Sequence, residues 1–487
     1  MSIWWIVAIA VVTVLTSILI FRLHAFLTLL LAGVLAAALT GATALEQHAA
    51  AQVRTGKWTQ KAADDFVASS PVSRVTTAFG ETAGKIGILI ALASVIGGLL
   101  SESGAASAIV SRILAWTGPK RSPEALAISS FIIGIPVFFD TVFYLMVPLA
   151  RSLRRAVGKN YVLYILAILA GGSLAHSLIP PTPGPLQVAE TLDLDVGVVL
   201  IAGLVIGSIS SVLSLAAARI INAFVEVPLR EEDDGESTTD AGPASSATNE
   251  HDASIQGVDQ GTSPGFFEAL LPIGVPVVLI TIGSVLSYLE PESSTLVRVL
   301  LTLGNKNVAI GVGLAIAMGL LRFVDKDRRK TLVGRSLASA GSIIMITAAG
   351  GAFGAMLRQA GIAGAVGDLV DAEAGLLLLP VAFGVTVAIR TLQGSATVAM
   401  ITAAGVLQGL ATSDALPFHP VYLAMAIGAG SKPVSWMTDS AFWVITRMTG
   451  MTEAEGLKVI SPMSTAMGLS ALIVTIVVAT LYPATPQ

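Results

Sequence analysis

Long apolar stretches alternate with short polar interruptions along almost the whole chain, and the elements they predict are helices that cross a bilayer. Two spans come first, at about 3–20 and 25–45, joined by a short turn with Arg22 and His24. Residues 46–80 are polar and of mixed charge. A third span covers about 84–101 and ends at Glu102, before a small-residue segment and Lys120–Arg121. Glu124–Arg151 is apolar but interrupted near Phe138–Thr141. A span at 160–178 runs into His176–Pro185, HSLIPPTPGP, and another covers about 197–224. The second half repeats this plan. Spans at about 265–288 and 307–324 precede a basic loop (Arg322–Arg335), then come 337–357, an interrupted 375–411, a broken 419–445 and a closing 461–482.

The interruptions carry the interest. Three prolines between Pro181 and Pro185 remove backbone donors and forbid a continuous helix. Non-helical backbone at membrane depth is tolerated only where protein buries it or where it lines a polar cavity. Landmarks in the two halves lie about 255 residues apart: Gly97 with Gly350, Asp140 with Ser395, Ser173 with Ser431. The spacing predicts an internal duplication, with units at 1–228 and 265–487. The run REEDDGESTTD within 229–264 has almost no bulky apolar residues and reads as a disordered hydrophilic linker. Placing the Lys/Arg-rich loops in the cytoplasm makes 124–150 and 375–411 re-entrant hairpins entering from opposite sides. The fold expected is all-α and polytopic: two inverted-topology repeats, about ten transmembrane helices and two re-entrant hairpins with broken helices. Both termini would lie outside and the linker in the cytoplasm, with the chain in the plasma (inner) membrane.

Composition agrees with a membrane chain and narrows the chemistry. The 487 residues are 54% hydrophobic and 12% charged, and the mean hydropathy is +0.80. Soluble domains carry about 25% charged residues. Glycine pairs with GxxxG spacing (Gly80/Gly84, Gly203/Gly207, Gly350/Gly354) predict close helix crossings. Cysteine is absent, which excludes disulfides, thiolate metal sites and cysteine nucleophiles. No HExxH sequence occurs, and no basic patch points to nucleic acid. GTSPG at 261–265 matches the nucleophile pattern GxSxG only in letters, since no strand precedes it. No enzyme, metal site or cofactor is expected. A channel is the other rival, separated from a transporter by its unsaturable, uncoupled flux.

Inverted repeats with broken helices at the midplane are a secondary-transporter design. FFDTVFYLMVPLAR, HSLIPPTPGPLQVAETL, LQGSATVAMITAAG and GAGSKPVSWMTDSAFWV, in this order, resemble the gluconate permease (GntP) family within the larger ion-transporter superfamily. The resemblance implies proton-coupled symport of gluconate or a related hydroxy or sugar acid anion, an elevator motion and a homodimer. Many gluconate permeases carry histidine and glutamate where this chain has Thr182 and Asp140, and Lys432 also departs from their pattern. A sodium-coupled carboxylate transporter is the alternative, because freed carbonyls at the breaks are suited to Na⁺.

A sugar-acid site needs N–H groups or a cation for the carboxylate and small polar side chains for the hydroxyls. The candidate substrate contacts are Thr141, Thr182, Gly184, Gln393, Gly394, Ser395, Thr397, Ser431 and Lys432, against a reading in which Gly and Ser only allow close packing. Lys432 either holds the substrate or neutralises Asp439 or Asp140. Asp140, His176 and Asp439 are the candidate proton carriers. Their competing roles are helix N-caps for the two acids and a structural hydrogen bond for His176. Glu102 is expected to face an interfacial region, and Arg358 and Arg390 to snorkel at the outer membrane surface.

Overall fold

The computed structural model describes residues 3–21, 23–54, 56, 58–230, 263–289, 294–361, 375–411, 416–436 and 439–483; their regular structure is all helical. Most of the proposed linker, residues 231–262, lies outside them, as does Arg22. In chain order the first half comprises α1 (Ile3–Leu19), α2 (Ala25–Leu39), α3 (Ala42–Arg54), α4 (Gln60–Ala68), α5 (Pro71–Glu102), α6 (Ala105–Thr117), α7 (Ser122–Ile133) and α8 (Phe139–Val157). It continues with α9 (Tyr161–Ile168), a π turn (Leu169–Ser173), α10 (Leu174–Leu178), α11 (Pro183–Thr191) and α12 (Val196–Phe224).

The second half opens with α13 (Phe266–Leu289), α14 (Thr295–Gly304), α15 (Lys306–Met318) and α16 (Lys326–Gln359). It closes with α17 (Leu378–Gln393), α18 (Ala396–Ala411), α19 (Val421–Gly430), α20 (Ser440–Thr449) and α21 (Glu453–Leu481).

Among the described residues seven helical stretches are long and apolar enough to cross a membrane, or eight if α2 and α3 form one span bent by 99°. Most expected spans fall where the apolar runs are, but their ends move. The second span stops at Leu39, where the polar helix α3 turns away. The third begins at Pro71 and the 337–357 span at Lys326, because polar turns without breakers extend both helices beyond the apolar run. The small-residue segment after Glu102 folds as α6, and α14 is a further short helix.

Helices α5 and α16 pack along each other at the centre. Around them α2 lies on α16 and α15 on α5, while α12 lies against α21 and α13. The sequence permits these approaches through small residues. Gly351 lies over Thr82, and Gly33 faces the Phe353 backbone, where a built Cβ would stand 3.6 Å from Cα. Of the predicted glycine pairs, Gly203/Gly207 meets Leu178 and Phe131, and Gly350/Gly354 meets Ile401 and Gly405. Among the described residues nothing lies within 4 Å of a Cβ built at Gly80 or Gly84, so that pair makes no close crossing there.

Polar ties mark the two ends of the bundle. At one end Glu102 pairs with Arg328 at 3.2 Å, Glu124 with Arg219 at 2.5 Å, and Arg230 with Glu455 at 2.7 Å. Glu102 thus has a defined partner at the α5 terminus. At the other end Arg74 reaches the Ala37 carbonyl and Gln359, Arg358 reaches Gln408, and Asp195 accepts from Ser284 at 2.6 Å. Arg358 sits at this helix end, where it donates to Gln408 at 2.8 Å and to the Thr191 carbonyl at 3.4 Å.

Candidate functional site

The chain reverses between α7 and α8. Ser130, before the turn, and Val142, after it, both lie against Gly172 of the π turn, within 3.4 Å of a Cβ built there. A straight helix would separate two residues so spaced by about 18 Å. The reversal is held by Ser130, whose hydroxyl accepts from Gly172 N at 3.1 Å and donates to Ala127 O at 3.0 Å. It leaves the α8 N-terminus at the turn, with Phe138 as an N-cap lacking a side-chain hydrogen bond. The N–H groups of Phe139, Asp140 and Thr141 therefore have no partner within their own helix. Asp140 is exposed there, and Thr141 is half-buried.

The second reversal joins α17 to α18, which pack on each other. Gly394 ends α17 at φ +87°, a left-handed conformation that glycine adopts without a Cβ clash. Ser395 caps α18, its hydroxyl accepting from Val398 N at 3.3 Å and its carbonyl from Ala399 N at 3.0 Å. Thr397 is half-buried in the first turn; the Gln393 side chain lies outside what is described.

The proline break lies beside this second turn. Thr182 is buried and donates its hydroxyl to Ile179 O at 2.6 Å. Of the first three residues of α11, only Gly184 carries an N–H, since Pro183 and Pro185 have none. Gly184 faces Thr397 and the Met400 side chain, a built Cβ lying 3.9 Å from Thr397 Cα. The structure thus brings the proline break and the α18 N-terminus together.

The other break, Ser431–Asp439, is tied by charge. Arg390, one turn before Gly394, is buried and reaches three acceptors: the Gly394 carbonyl, the Ser431 carbonyl (Nε–O 3.0 Å) and the Asp439 carboxylate. The expected place for Arg390, at the membrane surface, is therefore wrong; Asp439 draws it inward. Asp439 is the N-cap of α20, accepting from Ala441 N at 3.0 Å, and it also accepts from Ser435. Capping and pairing fill both of its oxygens.

Lys432 is buried and pairs directly with neither acid. Its ammonium donates to the carbonyl and the hydroxyl of Ser173, each at 2.9 Å. Ser431 donates its hydroxyl to Gly428 O at 2.7 Å. His176 stacks edge-on near Phe138, with centroids 6.3 Å apart, and its Nδ1 is buried without a hydrogen-bond partner among the described residues. Asp140 and Asp439 lie within electrostatic range of each other, as do Lys432 and His176.

The candidates thus gather in two adjoining places. Thr182, Gly184, Ser395 and Thr397 lie where α11 and α18 begin; Asp140 and Asp439 lie where α8 and α20 begin, with Lys432, Ser431 and Arg390 beside them. Four helix N-termini and two cations suit an anion. Arg390, Ser173 and Ser435 were not among the expected site residues. An arginine inside an apolar run is a functional candidate by default, a signal that would have singled out Arg390 had it not been read as a surface arginine. Cavities of about 640 and 600 Å³ lie elsewhere, lined by Arg154, Arg155 and Glu226 and by Trp443, Arg447 and Glu453.

Several known proteins are similar to this chain. The Escherichia coli (strain K12) inner membrane permease YgbN is 30% identical over 81% of this chain and 86% of its own length. A gluconate permease of Zymomonas mobilis is 29% identical over 84% of this chain and 89% of its own. The crystal structure of the Alcanivorax borkumensis YdaH transporter has the same fold at 12% identity, with a TM-score of 0.56 over 86% of this chain and 91% of that one. The model of the GntP family permease matches residues 65–481. A multi-pass bundle with paired helix breaks, matched over that length, belongs to the GntP permease family, and the chain is a membrane permease rather than an enzyme.

Proposed function

We propose that the chain is a proton-coupled symporter of gluconate or a related hydroxy or sugar acid anion, working by an elevator motion in the inner membrane. The observation that carries this reading is that Arg390, Lys432 and the N-termini of α8, α11, α18 and α20 lie in two adjoining polar places within an apolar bundle. The substrate class comes from similar proteins, among them the gluconate permeases of Zymomonas mobilis and Pseudomonas aeruginosa. The substrate carboxylate takes the helix N-termini and the Lys432 charge, and its hydroxyls take Thr182, Ser395 and Thr397. Gln393 and Thr141 complete the ring.

Asp140 carries the coupling proton, because Asp439 is committed to Arg390 and the α20 cap, and Asp140 has no ion pair among the described residues. Protonation of Asp140 lowers the charge moved with the anion. His176, whose Nδ1 has no hydrogen-bond partner among the described residues, is the second proton group on this path. The turns, breaks and bound anion then move as one block against a scaffold built on α5 and α16.

Two inverted repeats, 1–228 and 265–487, joined by the cytoplasmic linker 229–264, account for several paired contacts. The packing of α2 on α16 answers that of α15 on α5. Gly171 crosses the Ala127 carbonyl as Gly430 crosses that of Phe383. In this reading the chain makes ten crossings and two re-entrant hairpins, with both termini outside. The dimer follows from the family resemblance.

The deciding measurement is uptake of radiolabelled gluconate into proteoliposomes under an inward proton gradient without sodium. Accumulation that a protonophore abolishes is expected. Absence of gluconate uptake, with another acid accumulating or with sodium required, overturns the substrate or the coupling ion.

A further inference from the structure

Lys432 has an unusual set of partners for a buried lysine. Its ammonium meets two neutral oxygens of a single residue, the carbonyl and hydroxyl of Ser173, across 259 residues of sequence. Ser173 closes the π turn before the proline break, and Lys432 stands just past the end of α19, before Pro433. Both residues are less than a tenth exposed. Among the described residues Lys432 forms no ion pair, although Asp439 is seven residues away in sequence; that acid is taken by Arg390. A buried ammonium held only for charge balance is expected against a carboxylate. What surrounds this one is a carbonyl and a hydroxyl at interrupted helices, the kind of oxygen set with which transporters of this design coordinate Na⁺.

We infer that the Lys432 ammonium is a tethered monovalent cation filling a Na⁺-type site at Ser173. It carries the same single positive charge and takes the same oxygens, and a covalent tether replaces release and rebinding. The consequence, resting on the transporter reading above, is that the break region holds a permanent positive neighbour for the anion and that no Na⁺ gradient is drawn on through this site. Removing the side chain leaves two Ser173 oxygens facing a space that a free cation can enter.

The experiment uses the purified full-length protein without organic substrate, so that its outcome is independent of whether gluconate is carried. Thermal unfolding and binding of ²²Na⁺ are measured in NaCl and in choline chloride of equal concentration. The wild type is expected to show the same midpoint in both salts and no saturable ²²Na⁺ binding. Lys432→Ala and Lys432→Ser are expected to unfold at lower temperature in choline chloride, to recover in NaCl and to bind ²²Na⁺ saturably. Adding Ser173→Ala is expected to weaken that binding several-fold. Saturable Na⁺ binding by the wild type overturns the inference. So does a folded Lys432 variant indifferent to Na⁺, or failure of both variants to fold even in NaCl.

Discussion

Arg390 shows how a single side chain ties together parts of the chain that are distant in sequence. Its guanidinium spans the tip of the second hairpin, the end of α19 and the cap of α20, using donors in a fixed fork that a lysine cannot reproduce. Both members of the Arg390–Asp439 pair are 5% exposed, so removing one strands the other. Arg390→Ala is expected to cost about 3–5 kcal/mol, read as a lower unfolding midpoint in detergent. Arg390→Lys should fall between that variant and the wild type. A midpoint unchanged in Arg390→Ala would mean the pair contributes nothing net. Asp140 belongs to the same region but bears no such structural duty. Asp140→Asn should therefore leave the unfolding midpoint within about 0.5 kcal/mol of the wild type, the usual range for accessible positions. Its uptake should lose the response to an imposed proton gradient.

At the scale of elements, the breaks are held by glycine crossings rather than by polar contacts alone. A Cβ at Gly171 would overlap the Ala127 carbonyl and the Ser130 hydroxyl, and one at Gly430 would overlap the Phe383 carbonyl, where backbone must move to make room. Gly171→Ala and Gly430→Ala are expected to lower the yield of folded protein sharply in size-exclusion profiles. Gly80→Ala, with no described residue within 4 Å of the added Cβ, is expected to be neutral or to gain slightly through helix propensity. Equal behaviour of the three variants would show that these crossings yield at little cost. Periodicity and glycine spacing do not separate such positions, because GxxxG reports a small-residue surface without naming what lies on it.

At the scale of the whole molecule, the natural absence of cysteine makes topology directly measurable. Single cysteines at Lys120 and Arg335, both exposed at the basic end, are expected to react with an impermeant maleimide only from the cytoplasmic side. Cysteines at Gly41 and Leu296 should react from the outside alone. Labelling of Gly41 and Arg335 from the same side would overturn the inverted arrangement. The Lys/Arg bias on which the proposed orientation rests is legible without any coordinates, since it acts on loops before packing is complete.

The sequence by itself determined that the chain is an all-helical membrane protein, that its helices break near Pro181–Pro185, at LQGSAT (392–397) and at GAGSKP (428–433), and that it resembles gluconate permeases. These follow from apolar run length, proline and glycine chemistry, and motif order, all local properties. It also placed Thr182, Gly184, Ser395 and Thr397 at breaks, and the structure brings those breaks together. Only the tertiary structure decided who partners whom. Asp439 takes Arg390 instead of Lys432, Lys432 takes Ser173, and Arg390 lies inside instead of at the surface. The reason is that a buried charge is stabilised by whichever partner packing brings within reach. Here that partner lies 49 or 259 residues away, and no local pattern records such a distance.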